Sequence, residues 1–397
     1  MIRAFNAGHP DVKIGTADYS ALNTNDDRSA GEKQLCFDMQ NAGFRPDIVM
    51  TCTGQSAVVS EDGVIRRLTD RGLTVDLVPY IEQDDTVTFD ALYGCIRRLF
   101  DDGRGGMWGI APDFTVELLV MAPPYAAAYA GRTGWSAEEM LDFFDSLPAD
   151  TEPYYLCTAM DGLWIRNLLC RGYGSFLEED GTAFGSETFV RLLKWLKTLP
   201  EDAAAWRSQS PAAQMTQQER DAAFGNGGIA MKKVWFRAMS WSEPIQWYEE
   251  GWLPIGFASD GDSGIRIGTD SAYMITAWAE DPDLCFAIVR SFFTTEGYGL
   301  EYADGDSIPF FSLKPQFDEV MEKSVVARFF PPPSEEEKAW FFDLLDGAGV
   351  PYLRWTPEAV DSIAAEEIGA YLAGMGTAED CAERIRSRVG IWLSERS

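Results

Sequence analysis

Histidine is almost missing from this chain: 397 residues contain one, His9, in a polar Gly-His-Pro turn. That scarcity leaves little room for a Ser-His-Asp triad, a histidine-based metal centre or imidazole acid–base catalysis. Positive charge is scarce too. Against 63 Asp and Glu stand 33 Lys and Arg, a net charge of -30, which repels phosphate backbones and anionic headgroups and excludes nucleic acid as a partner. Long apolar runs are lacking. The nearest to the about 18 residues of a membrane-spanning helix, Leu118 to Ala130, is short and broken by Pro123 and Pro124. The seven cysteines are scattered without CxxC spacing or a histidine cluster, so neither a zinc nor a redox motif is present and no metal or cofactor is expected. There is no P-loop, and Gly103-Arg104-Gly105-Gly106 lacks the strand-then-helix setting of a nucleotide fingerprint. Asp260-Gly261-Asp262-Ser263-Gly264 lacks the closing glutamate of a calcium loop and reads as a turn. Met1-Ile2-Arg3-Ala4-Phe5-Asn6 shows no basic, apolar and cleavage-site succession, so export is not legible there. No period of 20 to 50 residues marks a repeat.

What is present is a chain of ordinary globular composition, with 46% hydrophobic and 24% charged residues, long enough for two cores. Buried-strand patterns alternate with helical ones, which predicts an α/β fold. Strands are expected at Pro46 to Cys52, Met107 to Pro112, Val116 to Met121 and Ser271 to Thr276. Ser136 with Glu139, and Thr377 with Asp380, read as capping boxes. The first opens a helix burying Met140, Phe143, Phe144 and Leu147; the second opens one burying Cys381, Ile385, Val389 and Trp392. From Ser186, helical spacing places Phe189, Leu192, Leu193, Leu196 and Leu199 on one buried face before Pro200. Asp281-Pro282 is an N-cap with proline in the first turn. Pro331-Pro332-Pro333-Ser334, followed by three glutamates, reads as a surface crossing.

Aromatic residues are in surplus. Of 13 tryptophans, Trp235, Trp241, Trp247 and Trp252 crowd one region, and Trp135 and Trp164 stand near turns. An indole face stacks on the C–H face of a sugar while carboxylates and amides bond its hydroxyls, so Trp with Asp or Glu is the lining expected of a carbohydrate site. Core packing is the competing role for each of these rings.

Order and spacing of short motifs add a family resemblance. Phe5-Asn6, Asp11-Val12-Lys13-Ile14, Asp18-Tyr19-Ser20 and Asn23-Thr24-Asn25-Asp26-Asp27 resemble the opening, after the first strand, of family 1 extracellular solute-binding proteins of ABC importers. Pro46-Asp47-Ile48-Val49 is similar to the second-strand motif, Arg71-Gly72-Leu73 through Asp76-Leu77-Val78-Pro79-Tyr80-Ile81 to a following conserved segment, and Met107 to Pro112 to the hinge strand. Thr133 to Glu139 resembles the next helix start. Phe224 to Met231 resembles a later segment, with Trp235 where sugar binders of this class carry a stacking aromatic. Ala370-Tyr371-Leu372-Ala373-Gly374 and Arg388-Val389 complete a match along nearly the whole chain.

The resemblance implies a two-lobed periplasmic-binding-protein-like fold (type II) with an inter-lobe hinge, lobe I from 1–112 and 269–308, lobe II from 113–268 and 309–397. It implies a non-enzymatic, monomeric receptor that captures a small polar ligand, sugar above all, and delivers it to ABC permease subunits. Gln55, Asp113, Glu117, Trp164, Trp235 and Trp241 are the candidate ligand contacts, with no catalytic residue. It places the protein outside the cell, in a periplasm or as a surface lipoprotein. The family's first strand would precede Met1, so a start lacking it is expected. The cysteines pull the other way: an odd set flanked by apolar residues fits a reducing compartment, and free, mostly buried thiols are expected. Two other readings use the same residues, a carbohydrate-active enzyme with paired carboxylates and a ligand-sensing receptor domain.

Overall fold

The computed structural model describes residues 5, 8–24, 30–51, 68–69, 71–102, 104–154, 176, 181–200, 203–236, 248–258, 263–269, 271–293, 310–323, 333–348 and 358–395. The chain divides into two compact units. One comprises Met1–Val116, Phe236–Ser242 and Ile267–Leu353; the other comprises Glu117–Trp235, Glu243–Arg266 and Arg354–Ser397.

The helices that shape the two units are α1 (Ala30–Phe37), α2 (Val78–Gln83), α3 (Gly94–Leu99), α4 (Ala137–Ser146), α5 (Glu187–Leu196), α6 (Gln217–Gly225), α7 (Pro282–Ser291), α8 (Lys314–Lys323), α9 (Glu335–Gly347), α10 (Glu358–Leu372) and α11 (Ala378–Ser394). The strands are β1 (Ile48–Thr51), β2 (Asp113–Met121), β3 (Glu152–Tyr154), β4 (Ile229–Phe236), β5 (Leu253–Pro254), β6 (Arg266–Gly268), β7 (Ala272–Ile275) and β8 (Phe310–Phe311).

In the first unit β1 pairs antiparallel with β7, Ile48 opposite Ile275 and Thr51 opposite Ala272. Ile110 bridges Tyr273, and the start of β2 pairs with β8 through Asp113 and Phe311. The end of α9 is held by α3. Arg98 donates to the carbonyls of Asp346 and Ala348, groups that a helix C-terminus leaves without intrahelical partners. The Asp346 carboxylate in turn accepts from Gly94 N and Lys314 Nζ, each at 2.7 Å. Asp281 caps α7, accepting from Leu284 N at 2.9 Å with Pro282 in the first turn, as expected.

In the second unit the sheet order is β3-β4-β2-β5, with β3 parallel to β4 and β5 antiparallel to β2. Its core gathers Leu119 and Met121 of β2, Met140, Phe143 and Phe144 of α4, Phe189, Leu192, Leu193 and Leu196 of α5, and Cys381, Ile385 and Val389 of α11. Leu147, Leu199 and Trp392, expected on those faces, lie at the edge of the cluster, half-buried. Both expected capping boxes form, Ser136 with Glu139 and Thr377 with Asp380. A backbone crossing follows β5. Gly256, at φ 74°, bridges Gly264, and a Cβ on Gly264 would lie 1.6 Å from Phe257 O, so only glycine fits.

Two expectations need correction. Met107 to Pro112 and Val116 to Met121 do not form two strands: Met107 and Ile110 make isolated bridges, and one long strand starts at Asp113. Proline has no N–H for a ladder, and Pro112 contributes its carbonyl instead, accepting from Ser312 N at 3.0 Å. Ser334 is not merely part of a surface crossing. It caps α9 in a capping box with Glu337, and the run of glutamates occupies the helix's first turn, where the positive end of the helix dipole favours them.

Candidate functional site

The site is built around β2. A strand covered on both faces is ordinarily apolar on both, and Phe114, Val116, Leu118 and Val120 make one such face. The alternate positions begin polar, with Asp113, Thr115 and Glu117, before turning apolar at Leu119 and Met121. Asp113 has 0% exposure. In the first unit its Oδ2 accepts from the Ser271 hydroxyl at 3.1 Å, and its Oδ1 lies 3.3 Å from Thr269 Oγ1. Thr269 is itself fixed by Ser271, whose N–H donates to Oγ1 at 3.1 Å and whose carbonyl accepts from it at 2.8 Å.

Glu117 belongs to the second unit and is the one position of β2 that is not buried. Its carboxylate forms an ion pair with Lys233 of the neighbouring strand β4, the side chains being 27% and 30% exposed. Lys232 turns to the opposite side, its ammonium 3.7 Å from the Trp252 ring centre and 4.6 Å from that of Phe224, a cation–π arrangement. The doubled lysine thus serves two faces of one strand.

Of the six candidate contacts, Asp113 and Glu117 stand four residues apart on β2, and Trp235 stands on β4 two residues after Lys233. Gln55, Trp164 and Trp241 lie outside the described residues, as does the side chain of Trp235. Two tryptophans counted among the surplus aromatics are core residues. Trp135 is 0% exposed, with ring centroids 5.5 Å from Phe143 and 5.6 Å from Tyr129; it directly precedes the Ser136 cap, a place from which an apolar side chain packs back onto its own helix. Trp252 is buried against Phe224 at 4.8 Å. Lys233, Thr269 and Ser271 escaped the sequence reading. The signal for Lys233 was there: consecutive lysines on a strand must point to opposite faces.

Cys36, Cys95, Cys285 and Cys381 are buried, free thiols; Cys52, Cys157 and Cys170 lie outside the described residues. Burial pushes the Cys95 thiol up to about 12, and those of Cys285 and Cys381 to about 11, so they stay protonated and unreactive near neutrality. Among the described residues no group of three or more His, Cys, Asp or Glu is placed to hold a metal ion, and no helix is long and apolar enough to cross a membrane.

No family model and no curated protein matches this sequence. Solved structures do match. The sugar-binding protein MalE of Xanthomonas citri covers 100% of this chain with 93% of its own, at 13% identity and a TM-score of 0.54. The fold is that of periplasmic solute-binding proteins. A family 1 extracellular solute-binding protein of Alicyclobacillus acidocaldarius matches 99% of the chain with 93% of its own, at 15% identity and a TM-score of 0.51. A sugar transporter of Rhizobium etli, in an open conformation, matches 98% with 94% of its own, at 14% and 0.51. Because each alignment runs through both units, the solute-binding fold accounts for the whole chain and leaves no separate domain over.

Proposed function

We propose that this chain is a family 1 solute-binding protein: the component of an ABC importer that captures a saccharide outside the cytoplasm and hands it to permease subunits, acting as a monomer and carrying out no chemistry. One observation carries the reading. The solute-binding fold extends over 98 to 100% of the chain in structures named for sugar binding or solute binding. The motif order along the sequence supports it independently, as does a near-absence of histidine that leaves little material for catalysis. In this reading the two units are lobes that close on ligand, and Gln55, Glu117, Trp164, Trp235 and Trp241 supply stacking rings and hydrogen bonds. Asp113, sealed between Thr269 and Ser271, acts on the ligand only through the strand it anchors. Export, by a periplasmic or lipid-anchored route, belongs to the same reading.

A melting-temperature screen with neutral mono- and oligosaccharides tests it. A ligand present at 100 times its dissociation constant adds about 2.7 kcal/mol to the folded state, so a binder raises the midpoint visibly. The saccharide is expected to be recovered intact afterwards; newly released reducing ends would establish an enzyme instead.

A further inference from the structure

We propose that Asn226 is a deamidation site of this chain, and that the turn it belongs to holds the reaction shut while the fold is intact. Asn-Gly occurs once among the 397 residues, at Asn226-Gly227. In such a pair the backbone nitrogen of the glycine attacks the asparagine side-chain carbonyl, since no Cβ on the following residue stands in its path. The bond from nitrogen to Cγ forms, the Cγ–Nδ2 bond breaks, and ammonia departs to leave a five-membered succinimide. Water then opens the ring at either carbonyl, giving aspartate or isoaspartate, with no oxidant or cofactor consumed.

The turn requires both members of the pair. α6 ends there with the two bonds that close a helix on a left-handed residue: Gly227 N donates to Phe224 O at 3.1 Å and Gly228 N to Ala223 O at 2.7 Å. Gly227 has φ 84°, and a Cβ on it would meet Pro124 Cγ at 3.2 Å, so a glycine must follow Asn226. The asparagine adds an acceptor, its Oδ1 receiving Gly228 N at 3.0 Å, the bond an Asx turn makes two residues on. The same geometry denies the reaction. Asn226 has ψ 0°, whereas ring closure needs the Gly227 nitrogen to eclipse Cβ, a third of a turn away about the Cα–C bond. The proton that this nitrogen must lose is held by Phe224 O. Tyr125 secures the other side of the turn, its hydroxyl donating to Gly227 O at 2.8 Å. Isoaspartate would lengthen the main chain by a methylene just ahead of β4, where Glu152 N donates to Gly228 O at 2.9 Å and Ile229 pairs with Glu152. Conversion therefore strikes the start of the β3–β4 pairing.

The test is incubation of the full chain at mildly alkaline pH, native and in concentrated guanidinium. Peptide mapping by mass follows the replacement of an amide NH2 by OH, and an isoaspartyl methyltransferase assay detects the isoaspartate. In guanidinium Asn226 should convert faster than any other asparagine of the chain. In the native protein it should convert at least about tenfold more slowly than in guanidinium, the factor being set by the free energy of opening the turn. Tyr125→Phe removes a hydrogen bond that exists only in the closed turn. It should speed native conversion about two- to tenfold and leave the rate in guanidinium unchanged. Equal rates in folded and unfolded protein would overturn the proposal. So would faster conversion of another asparagine in guanidinium, or a native rate that Tyr125→Phe does not alter.

Discussion

At the scale of single residues, Trp235 is where stacking on ligand and packing in a core make opposite forecasts. It follows Lys233 by two positions on β4, and the family resemblance assigns it a ligand-stacking ring. As a stacking residue, Trp235→Ala should cost roughly 1.5 to 3 kcal/mol of binding, about tenfold to a hundredfold in Kd, with a smaller change in melting temperature. As a core residue it would cost roughly 3 to 5 kcal/mol of folding stability. Measuring Kd and melting temperature on the one variant decides; a large stability loss with unaltered affinity per folded molecule removes it from the site. The neighbouring tryptophans show why composition alone misleads. Trp135 stands near a turn and Trp252 in the crowded region, yet both are buried, because the direction of an indole is set by the partners it packs on, here Phe143 and Phe224. Charge is equally hard to place. The two consecutive lysines of β4 must point to opposite faces, but only the neighbouring strand reveals that one of them meets Glu117.

Among elements, what was legible is what a helix encodes within its own first turn. Ser136 with Glu139 and Thr377 with Asp380 bond across three residues, so sequence contains the whole interaction. The clamp between α10 and α11 was not legible, since Glu367 meets Arg384 and Arg388 at 2.6 and 2.8 Å only once the helices pack. Burial works to raise the Glu367 pKa, but the two guanidiniums outweigh it and hold the carboxyl below its ordinary value. A depressed folded-state pKa contributes stability that is full above the unfolded-state value and is lost as pH falls through the folded one. Glu367→Gln is therefore expected to lower stability by about 1.5 to 3 kcal/mol at neutral pH, and the difference from wild type should shrink as pH falls through and below the ordinary carboxylate range. Urea unfolding at a series of pH values would show this; a difference independent of pH would mean the arginines contribute nothing through charge. β2 taught the opposite lesson. Its first residues, Asp113 to Thr115, fell between the two expected strands, and the one expected ahead of them, Met107 to Pro112, makes only isolated bridges.

For the molecule as a whole, the buried cysteines report on each unit separately. Cys36, Cys95 and Cys285 belong to the first unit and Cys381 to the second. With the Cys95, Cys285 and Cys381 thiols pushed up to about 12, 11 and 11 by burial, alkylation at neutral pH should be slow at all four in the native protein. In rising urea, peptide mapping should show the first three labelled together, and Cys381 with them if the units unfold as one or apart from them if not. Rapid labelling under native conditions would contradict their burial.

The interleaving of the two units also constrains how the chain is made. The first unit cannot be completed until α9, whose end receives Arg98 of α3, has been synthesised; the second waits for α11, which brings Ile385 and Val389 to its core. A ribosome therefore releases β2, with its wholly apolar face, more than a hundred residues before either unit can close over it, and domain-by-domain folding during synthesis is denied to this protein. Late folding of this kind leaves holding chaperones a long interval in which to act.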